Sequence, residues 1–291
     1  MIASGKGGTG KTFIASNLAY YLNANVNVTV AADADVEAPD LILALGGEER
    51  VHEVVKVGGA RKTRIMLDKC IKCFKCKDSC RFNAVTIVND KPFINEELCE
   101  GCLLCKLLCP ANAIEVYDKD IGKIYVVKPR YTSLPVVYGD LELGERASGK
   151  LVYEVKEKAK EVMVKTKAKY LIVDSAAGIG CPVISSITGS DITLIIVEPS
   201  IASISGAKRV LKIARELRSK PFVIVNKYDL NYDLTKKINN ELDTEIIGYI
   251  PYDVSIVEAY TSMKPYLIYE GKGKAYGALI KLLEDLISVV I

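Results

Sequence analysis

The amino-acid sequence lacks tryptophan and glutamine and contains a single histidine, His52, in 291 residues. One histidine cannot form a multi-histidine metal site. Because His52 stands among charged residues, where a solvated side chain is expected, a histidine-based triad is also excluded. No run approaches about 18 consecutive apolar residues, and no secretory signal opens the chain. We therefore expect a cytoplasmic protein without stable membrane insertion.

Charge and composition narrow the class of partner. The formal net charge of +3 is too small to predict nucleic acid as a partner. A hydrophobic fraction of 49% and a charged fraction of 26% are typical of a globular chain, and its length allows a sizeable core. Nine cysteines in a cytoplasmic protein indicate metal or redox chemistry instead of disulfides.

A glycine-rich segment at residues 5–12, GKGGTGKT, matches the phosphate-loop pattern G-x-x-x-x-G-K-[ST]. Its glycines let backbone N–H groups turn toward phosphate oxygens, Lys11 supplies a cation, and Thr12 offers a hydroxyl to Mg²⁺. The following TFIASNLAYYL predicts a helix whose N-terminus faces the phosphates, which argues against a glycine turn without a ligand. The residues predicted to bind MgATP here are Gly5, Lys6, Gly7, Gly8, Thr9, Gly10, Lys11 and Thr12. Residues 1–4 alone are available for the preceding strand, so either that strand is very short or the sequence starts away from its natural start.

The additional lysine of the loop, Lys6, is not part of the general pattern. KGGTGKT resembles the deviant Walker A motif of the MinD/Mrp/ParA family of P-loop ATPases, to which the nitrogenase iron protein also belongs. The resemblance implies that Lys6 crosses a dimer interface to the partner's nucleotide and acts as an arginine finger does. It therefore implies a dimer in the ATP state, formed by identical chains or with a paralogue. A lysine solvated at the lip of the loop is the alternative.

Two acidic segments resemble the switch regions of that family. VNVTVAADADVEAPD reads as a strand ending in Asp33 and Asp35; by resemblance Asp35 orients the attacking water and Asp33 lies nearer the Mg²⁺ shell. KYLIVDSAAGIG resembles the Walker B and switch II segment, with Asp174 at the strand end and Gly178 in a loop that senses the γ-phosphate. The catalytic residues implied by the resemblance are Lys6, Lys11 and Asp35.

Two further segments resemble the parts of the family that contact the nucleobase. FVIVNKYDL ends a strand at Asn226, which the family places at the adenine edge. IIGYIPYD resembles the loop that lines the base from Pro251 to Asp253. The resemblance thus implies that nucleotide contacts come from both ends of the chain.

Eight cysteines form two C-x2-C-x2-C-x3-C runs that repeat at the 29-residue separation of Cys70 and Cys99. The similarity continues from CRFNAVTIV to CPANAIEVY, which indicates an internal duplication. This is the spacing of a bacterial two-cluster ferredoxin, in which three cysteines of one run and the fourth of the other hold each 4Fe–4S cluster. The predicted ligands are Cys70, Cys73, Cys76 and Cys109 for one cluster, and Cys99, Cys102, Cys105 and Cys80 for the other. Zinc is the alternative, although zinc sites usually pair two C-x2-C knuckles.

The two cysteine runs differ in charge. Basic residues crowd the first run, and glutamates flank the second. A basic half would suit docking of an acidic electron carrier, and ordinary solvated charge is the alternative. The residues concerned are Lys69, Lys72, Lys75, Lys77 and Arg81 in the first run, and Glu96, Glu97 and Glu100 in the second.

The other motifs predict one α/β domain interrupted by the cysteine-rich segment. Strands and helices alternate from YLIVD through ITLIIVEPS and SGAKRVLKIARELRS to PFVIVNK, which is typical of a doubly wound, mostly parallel sheet. We expect a discontinuous P-loop ATPase domain over residues 1–63 and 118–291, and an inserted α+β ferredoxin-like domain over residues 64–117. KVGGARK and DKDIGK, at the two ends of the insert, are expected to be flexible junctions.

The whole chain resembles MinD-superfamily ATPases with an inserted ferredoxin domain. The resemblance implies an ATPase in which nucleotide state and dimerisation control low-potential electron transfer to a partner protein through two 4Fe–4S clusters. An Mrp-like ATPase that assembles or carries iron–sulfur clusters for an apoprotein target is the alternative. A MinD/ParA-like spatial organiser would leave the clusters unexplained.

Two features outside these motifs have competing interpretations. Cys181 lies where the nitrogenase iron protein has a bridging cluster ligand, but two copies per dimer supply only two thiolates; a buried core residue is expected, and a transient thiol partner is the alternative. The C-terminal AYGALIKLLEDLISVVI has apolar residues at helical spacing without a basic face, so we expect it to pack on its own sheet and not on a membrane. These residues are Leu279, Leu282, Leu283, Leu286 and Val290.

Overall fold

The computed structural model describes residues 1–145 and 148–290, the last two by their backbone alone. The chain separates into two compact units. The first comprises Met1–Val55, Ile124–Asp140 and Ser148–Ile291, and the second comprises Lys56–Lys123 and Leu141–Ala147. The assignment of residues 64–117 to an inserted iron–sulfur domain, and of 1–63 with 118–291 to an ATPase domain, stays a prediction.

Parallel strands dominate the main sheet. The strands, in chain order, are β1 (Ile2–Ser4), β2 (Thr29–Ala34), β3 (Glu48–Ile65), β4 (Val85–Val88), β5 (Lys91–Ile94), β6 (Ile114–Pro129), β7 (Val136–Leu141), β8 (Tyr170–Ala177), β9 (Ile192–Val197), β10 (Lys220–Asn226) and β11 (Ile246–Ile250). The sheet has the order β11-β10-β9-β1-β8-β2-β7-β6-β3, and each pairing from β11 to β7 is parallel. The predicted fold class is confirmed, and β1 has three residues, as expected of a very short first strand.

Helices connect these strands. In chain order they are α1 (Lys11–Asn25), α2 (Leu41–Ala44), α3 (Lys75–Asp78), α4 (Leu104–Leu107), α5 (Ser148–Thr166), α6 (Cys181–Ile187), α7 (Ile201–Glu216), α8 (Tyr232–Glu241), α9 (Val254–Thr261) and α10 (Ala275–Val290). Polar side chains cap α7, α8 and α9. Ser200 accepts a hydrogen bond from Ser203 N at α7, Asn231 accepts from Leu234 N at α8, and Asp253 accepts from Ser255 N at α9. These caps satisfy backbone N–H groups that have no partner inside the helix.

The sheet is covered by helices on both faces. Phe222 and Ile224 of β10 join a core with α1 and α10, whereas the alternate residues Val223 and Val225 are buried outside that core, on the face that α7 covers. The apolar stripe of α10 is buried as expected, through Leu279, Leu282, Leu283 and Leu286. The side chain of Val290 lies outside the described residues. The burial of both faces explains why the central strands read as unbroken apolar runs.

In the second unit, the repeat in the sequence is also a repeat in the backbone. Helices α3 and α4 occupy equivalent places, each beginning one residue before the third cysteine of its run. Left-handed backbone conformations recur at Phe74 (φ 56°) and Leu103 (φ 65°), and again at Asn83 (φ 52°) and Asn112 (φ 47°). The two halves also exchange equivalent hydrogen bonds: Met66 N donates to Ala113 O at 2.8 Å, and Asn95 N donates to Ala84 O at 2.7 Å. The duplication therefore builds a pseudo-symmetric unit.

The segments expected to be flexible junctions are strands, so that prediction is wrong. Residues 56–62 lie in β3 and residues 118–123 lie in β6, its neighbour in the sheet. Lys56 also forms an ion pair with Asp120 at 3.8 Å. Glycine and lysine have weak strand preference, but hydrogen bonding to a neighbouring strand satisfies the backbone and outweighs that preference.

Candidate functional site

A cavity of about 450 Å³ lies at the C-terminal ends of the parallel strands, where such sheets bind ligands. The predicted nucleotide residues that line it are Gly7, Gly8, Gly10, Lys11, Thr12, Asp35, Asn226, Pro251 and Asp253. Those that do not line it are Gly5, Lys6, Thr9, Asp33, Asp174 and Gly178. The structure thus brings the phosphate loop, the first acidic segment and the two base-side segments to one cavity.

Two glycines of the loop are required by its conformation. Gly10, with φ 100°, precedes α1, and a Cβ there would collide with the Nδ2 atom of Asn226. Gly5 packs against the backbone of Gly206 in α7, so a Cβ on either residue would collide with the other. The loop is therefore fixed from two sides, by Asn226 and by α7.

Asp174 is a buried carboxylate with one oxygen free beside the loop. Its side chain is 2% exposed and lies beside Thr12. Burial raises the pKa of Asp174 to about 7, against the lowering effects of Thr12 and Lys11. Among the described residues, neither Asp174 Oδ1 nor the buried Thr9 Oγ1 has a hydrogen-bond partner. A carboxylate oxygen beside a threonine hydroxyl is a donor set that suits Mg²⁺.

The two aspartates of the first acidic segment differ in what they face. Asp33 is buried and both of its oxygens are occupied: Oδ1 accepts from Asp35 N at 3.0 Å, and Oδ2 accepts from Leu41 N at 2.8 Å. Asp35 is half-buried and lines the cavity. Burial raises the pKa of Asp35, and the Lys11 ammonium opposes that shift. Asp33 thus fixes the loop that presents Asp35, while its own Mg²⁺ role stays a prediction.

Lys6 forms an ion pair within its own chain. Its Nζ lies 2.5 Å from Glu198 Oε1, and Lys227 Nζ lies 3.1 Å from Glu198 Oε2. Lys227 Nζ also donates to Gly8 O at 2.8 Å. Glu198 was missed by the sequence analysis, although a carboxylate directly after the buried run ITLIIV is a signal for the ligand edge of a parallel sheet. The side chain of Lys6 remains 37% exposed.

The base-side residues hold the loops together. Asn226 Nδ2 donates to Thr9 O at 2.8 Å, and Asn226 Oδ1 accepts from Lys227 N at 3.0 Å. Asp253 caps α9 through Ser255 N at 3.0 Å and accepts from Ala275 N, the first residue of α10, at 2.8 Å. Both side chains therefore have structural partners as well as a place in the cavity wall, and their contacts to a base stay predictions.

The eight repeated cysteines line two small cavities in the second unit. One cavity is lined by Cys70, Cys73, Cys76 and Cys109. The other is lined by Cys80, Cys99, Cys102 and Cys105. The two cavities thus group three cysteines of one run with the last cysteine of the other. Ala113 N donates to Cys109 Sγ at 3.2 Å.

The spacing of the thiols bears on which metal they suit. Among the residues that the structure describes, no three or more His, Cys, Asp or Glu side chains converge closely enough to hold a single metal ion. A tetrahedral zinc site needs four thiolates around one ion, whereas the ligands of a cubane bind four different irons and stand further apart. Among the described residues the cysteines thus form no ready-made site for a metal ion, and their binding of 4Fe–4S clusters stays a prediction.

Cys181 is exposed at the first position of α6, so the expectation of a buried core residue is wrong. Cys181 packs near Gly149: a Cβ atom added to Gly149 would lie 3.1 Å from the Cβ atom of Cys181. Among the described helices, none has the length and apolarity needed to cross a membrane.

Comparison with known proteins agrees with this geometry. The model of the CobQ/CobB/MinD/ParA nucleotide-binding domain matches residues 1–266. The uncharacterized protein MJ0578 of Methanocaldococcus jannaschii is 32% identical over 98% of this chain and 95% of its own length. MinD from Pyrococcus horikoshii, solved with Mg-ADP, superposes with a TM-score of 0.61 at 18% identity, over 98% of this chain and 93% of that one. That last likeness concerns the fold.

A shorter match concerns a ferredoxin. The uncharacterized ferredoxin MJ0265 of Methanocaldococcus jannaschii is 41% identical over 44 residues, which are 15% of this chain and 26% of that protein. The match is too short to assign a function to the whole chain. The match of the nucleotide-binding model to most of the chain, by contrast, shows that the protein belongs to the CobQ/CobB/MinD/ParA family of P-loop nucleotide-binding proteins.

Proposed function

We propose that the protein is an ATP hydrolase that acts as a dimer, of identical chains or with a paralogue, and couples its nucleotide state to electron transfer through two 4Fe–4S clusters. The observation that carries the proposal is the joint presence, in one chain, of a phosphate-loop cavity and two cavities each lined by four cysteines. The ferredoxin match supports the second half of this proposal.

The nucleotide half rests on the buried Asp174 and its neighbours. Lys11 would bind the outer phosphates, and Thr12 with the free Oδ1 of Asp174 would hold Mg²⁺ directly or through water. Asp35 would hold and orient the water that attacks the γ-phosphorus, so that the bond to the bridging oxygen breaks and ADP and phosphate leave. The half-buried position of Asp35 at the cavity wall supports this role.

Lys6 would act on the nucleotide of the partner chain. It is held by Glu198 in the single chain, and its exposure allows the side chain to leave that ion pair. In a dimer, its ammonium would stabilise the charge that develops on the transferred phosphoryl group. Because this charge arrives only with the partner, hydrolysis would depend on dimerisation.

The cysteine half would serve electron transfer. The residues that would hold the clusters are Cys70, Cys73, Cys76 and Cys109 in one set, and Cys80, Cys99, Cys102 and Cys105 in the other. Bound clusters would supply one-electron redox chemistry at low potential. The protein's own part is to place two such sites side by side in one pseudo-symmetric unit and to present them to a partner protein.

Exposure of one cysteine in each set favours a second candidate. Cys73 and Cys102 are exposed, so a cluster bound there would be accessible to an apoprotein. ATP-driven assembly or delivery of clusters would use that access. In this case iron would leave the protein during turnover, whereas an electron carrier keeps its iron.

Iron retention separates the two candidates. The full chain, reconstituted anaerobically, should bind about eight irons. Cys73→Ser should bind about four if the cluster at Cys70, Cys73, Cys76 and Cys109 is lost. The matched variant Cys181→Ser should keep all of them. With MgATP and a low-potential reductant, the electron carrier should reduce a one-electron acceptor and retain labelled iron. Loss of the iron to an added apo-ferredoxin would favour the delivery function. A wild-type chain that binds no iron would contradict both.

A further inference from the structure

The internal repeat allows the surroundings of the two cysteine sets to be compared position by position. Ile65 beside the first set corresponds to Ile94 beside the second, and Ala113 corresponds to Ala84. The buried lining position seven residues before each run, however, is occupied by different chemistry. Thr63, seven residues before Cys70, lines the cavity of the second set, which contains Cys99. Its equivalent Pro92, seven residues before Cys99, lines the cavity of the first set, which contains Cys70.

Thr63 brings a hydroxyl to two sulfur atoms. Its side chain is 3% exposed, and Oγ1 lies 3.5 Å from Cys99 Sγ and 3.8 Å from Cys105 Sγ. A thiolate bound to iron accepts hydrogen bonds and has no proton to donate, so the hydroxyl of Thr63 must then be the donor. Pro92 has neither a hydroxyl nor a backbone N–H and provides no such donor.

A buried lysine, Lys62, holds the backbone of Cys99 next to the strand that carries Thr63. Lys62 Nζ donates to Glu96 O at 3.1 Å and Cys99 O at 3.0 Å, and lies 3.6 Å from Glu145 Oε1. The carbonyl contacts fix the backbone of Cys99 against β3, which carries Thr63. The residue equivalent to Lys62 in the other half is Lys91, which is exposed. Lys62 is therefore a positioning residue of the second set alone.

We propose that the hydroxyl of Thr63 raises the reduction potential of the cluster held by Cys80, Cys99, Cys102 and Cys105. The inference rests on the proposed function. A hydrogen bond to a ligating sulfur stabilises the more negative, reduced state more than the oxidised state. The cluster gains one electron from an external low-potential reductant, and Thr63 keeps its proton throughout. The first set has a sulfur hydrogen bond of its own, from Ala113 N to Cys109 Sγ at 3.2 Å, so the effect of Thr63 is read from the midpoint of the second set and not from the order of the two clusters.

The test is an EPR-monitored redox titration of the full reconstituted chain. Thr63→Val should lower one midpoint potential and leave the other unchanged, by about a tenfold change in the reduction equilibrium, which is about 59 mV for one electron. Thr63→Ser, which keeps the hydroxyl, should retain the wild-type midpoints. Thr86→Val, the same change at an exposed position of β4, is the matched control. Pro92→Thr should raise the midpoint that Thr63→Val leaves unchanged.

Iron content separates failure of this inference from failure of the proposed function. A wild-type chain without iron would overturn both. A fully loaded Thr63→Val protein with both midpoints unmoved would overturn the role of Thr63 alone, as would a Thr63→Ser protein that shifts as far as Thr63→Val. If Thr63→Val loses iron, Thr63→Ala removes the hydroxyl with less bulk and is judged by the same midpoints.

Discussion

Individual residues of the nucleotide cavity do two kinds of work, binding and holding. Lys11, Thr12 and Asp35 line the cavity. Asp33 and Asn226 instead form hydrogen bonds with the backbone of the loops that carry those groups. A buried carboxylate without a full set of partners costs stability, so the free oxygen of Asp174 is expected at a site that receives a cation.

The pKa of Asp174 makes this cost measurable. Because that pKa is raised from 3.8 to about 7, the folded protein holds a proton between about pH 4 and pH 7 that the unfolded chain has released. The Asp174 contribution to the free energy of unfolding therefore falls as pH rises through this window, by at most about 4 kcal/mol, and stays low above it. Asp174→Asn cannot ionise, so it should gain stability relative to wild type over the same range.

Thermal unfolding of the nucleotide-free protein in chelator, measured across that pH window, checks this prediction. MgATP should then stabilise the wild-type protein more than Asp174→Asn, because the variant has lost a carboxylate for the cation. Parallel pH profiles of the two proteins would show that Asp174 is not the buried acid described here.

The structure adds residue pairs that the sequence alone did not reveal. The resemblance identified Lys6, but its partner in the single chain, Glu198, lies 192 residues away and belongs to no motif of the resemblance. Thr63 precedes the first cysteine run but contacts Cys99 and Cys105 of the second run. Contacts between distant segments are decided by packing, which a local pattern does not encode.

At the scale of elements, the phosphate loop and α7 meet through two glycines. A Cβ at Gly206 would lie 2.7 Å from Gly5 Cα, so this contact ties the start of the loop to the helix that follows Glu198. The loop between β1 and α1 is thus part of a rigid assembly with α7. Movement of one would require movement of the other.

Substitution at this contact should separate packing from helix propensity. Gly206→Ala should destabilise the protein by about 1–3 kcal/mol and weaken nucleotide binding, because the added methyl group overpacks the contact. Gly277 of α10 has no atom within 4 Å of an added Cβ, so Gly277→Ala should stabilise by up to about 1 kcal/mol. Thermal unfolding and nucleotide titration of both variants provide the measurement. Equal stability of the two variants would contradict the proposed contact.

Elements were predictable where burial dictates them. β2, β8, β9 and β10 follow from apolar runs, and α1 follows from the phosphate loop that precedes it. The strand character of residues 56–62 and 118–123 was not predictable, because lysines and glycines there carry no alternating apolar pattern. Their conformation is set by pairing between β3 and β6, which are far apart in the sequence.

For the molecule as a whole, the proposed function requires two chains at each nucleotide. A site would combine Lys11 and Asp35 of one chain with Lys6 of the other. The ion pair of Lys6 with Glu198 in the single chain is consistent with an inactive monomer. Under the proposed function, one chain would join a dimer-dependent hydrolase to two redox centres.

Mixing inactive variants tests the shared site. Lys6→Ala and Asp35→Asn should each lower ATP turnover by about 10³-fold or more. An equal mixture should regain about a quarter of wild-type turnover, because half of the dimers are mixed and each of these holds one complete site. Lys6→Ala mixed with the double variant carrying both changes is the matched control and should stay inactive. A mixture no more active than its parts would place Lys6 in its own chain's site.

Control of the redox centres by nucleotide state can be read from the midpoint potentials of the clusters. The reconstituted wild-type protein is titrated anaerobically with EPR detection, without nucleotide, with Mg·ADP and with Mg·ATP. We expect Mg·ATP to shift at least one cluster midpoint by about 59 mV or more, a tenfold change in a one-electron equilibrium. Midpoints that stay the same in all three states, in a protein that hydrolyses ATP, would contradict coupling through the cluster potential.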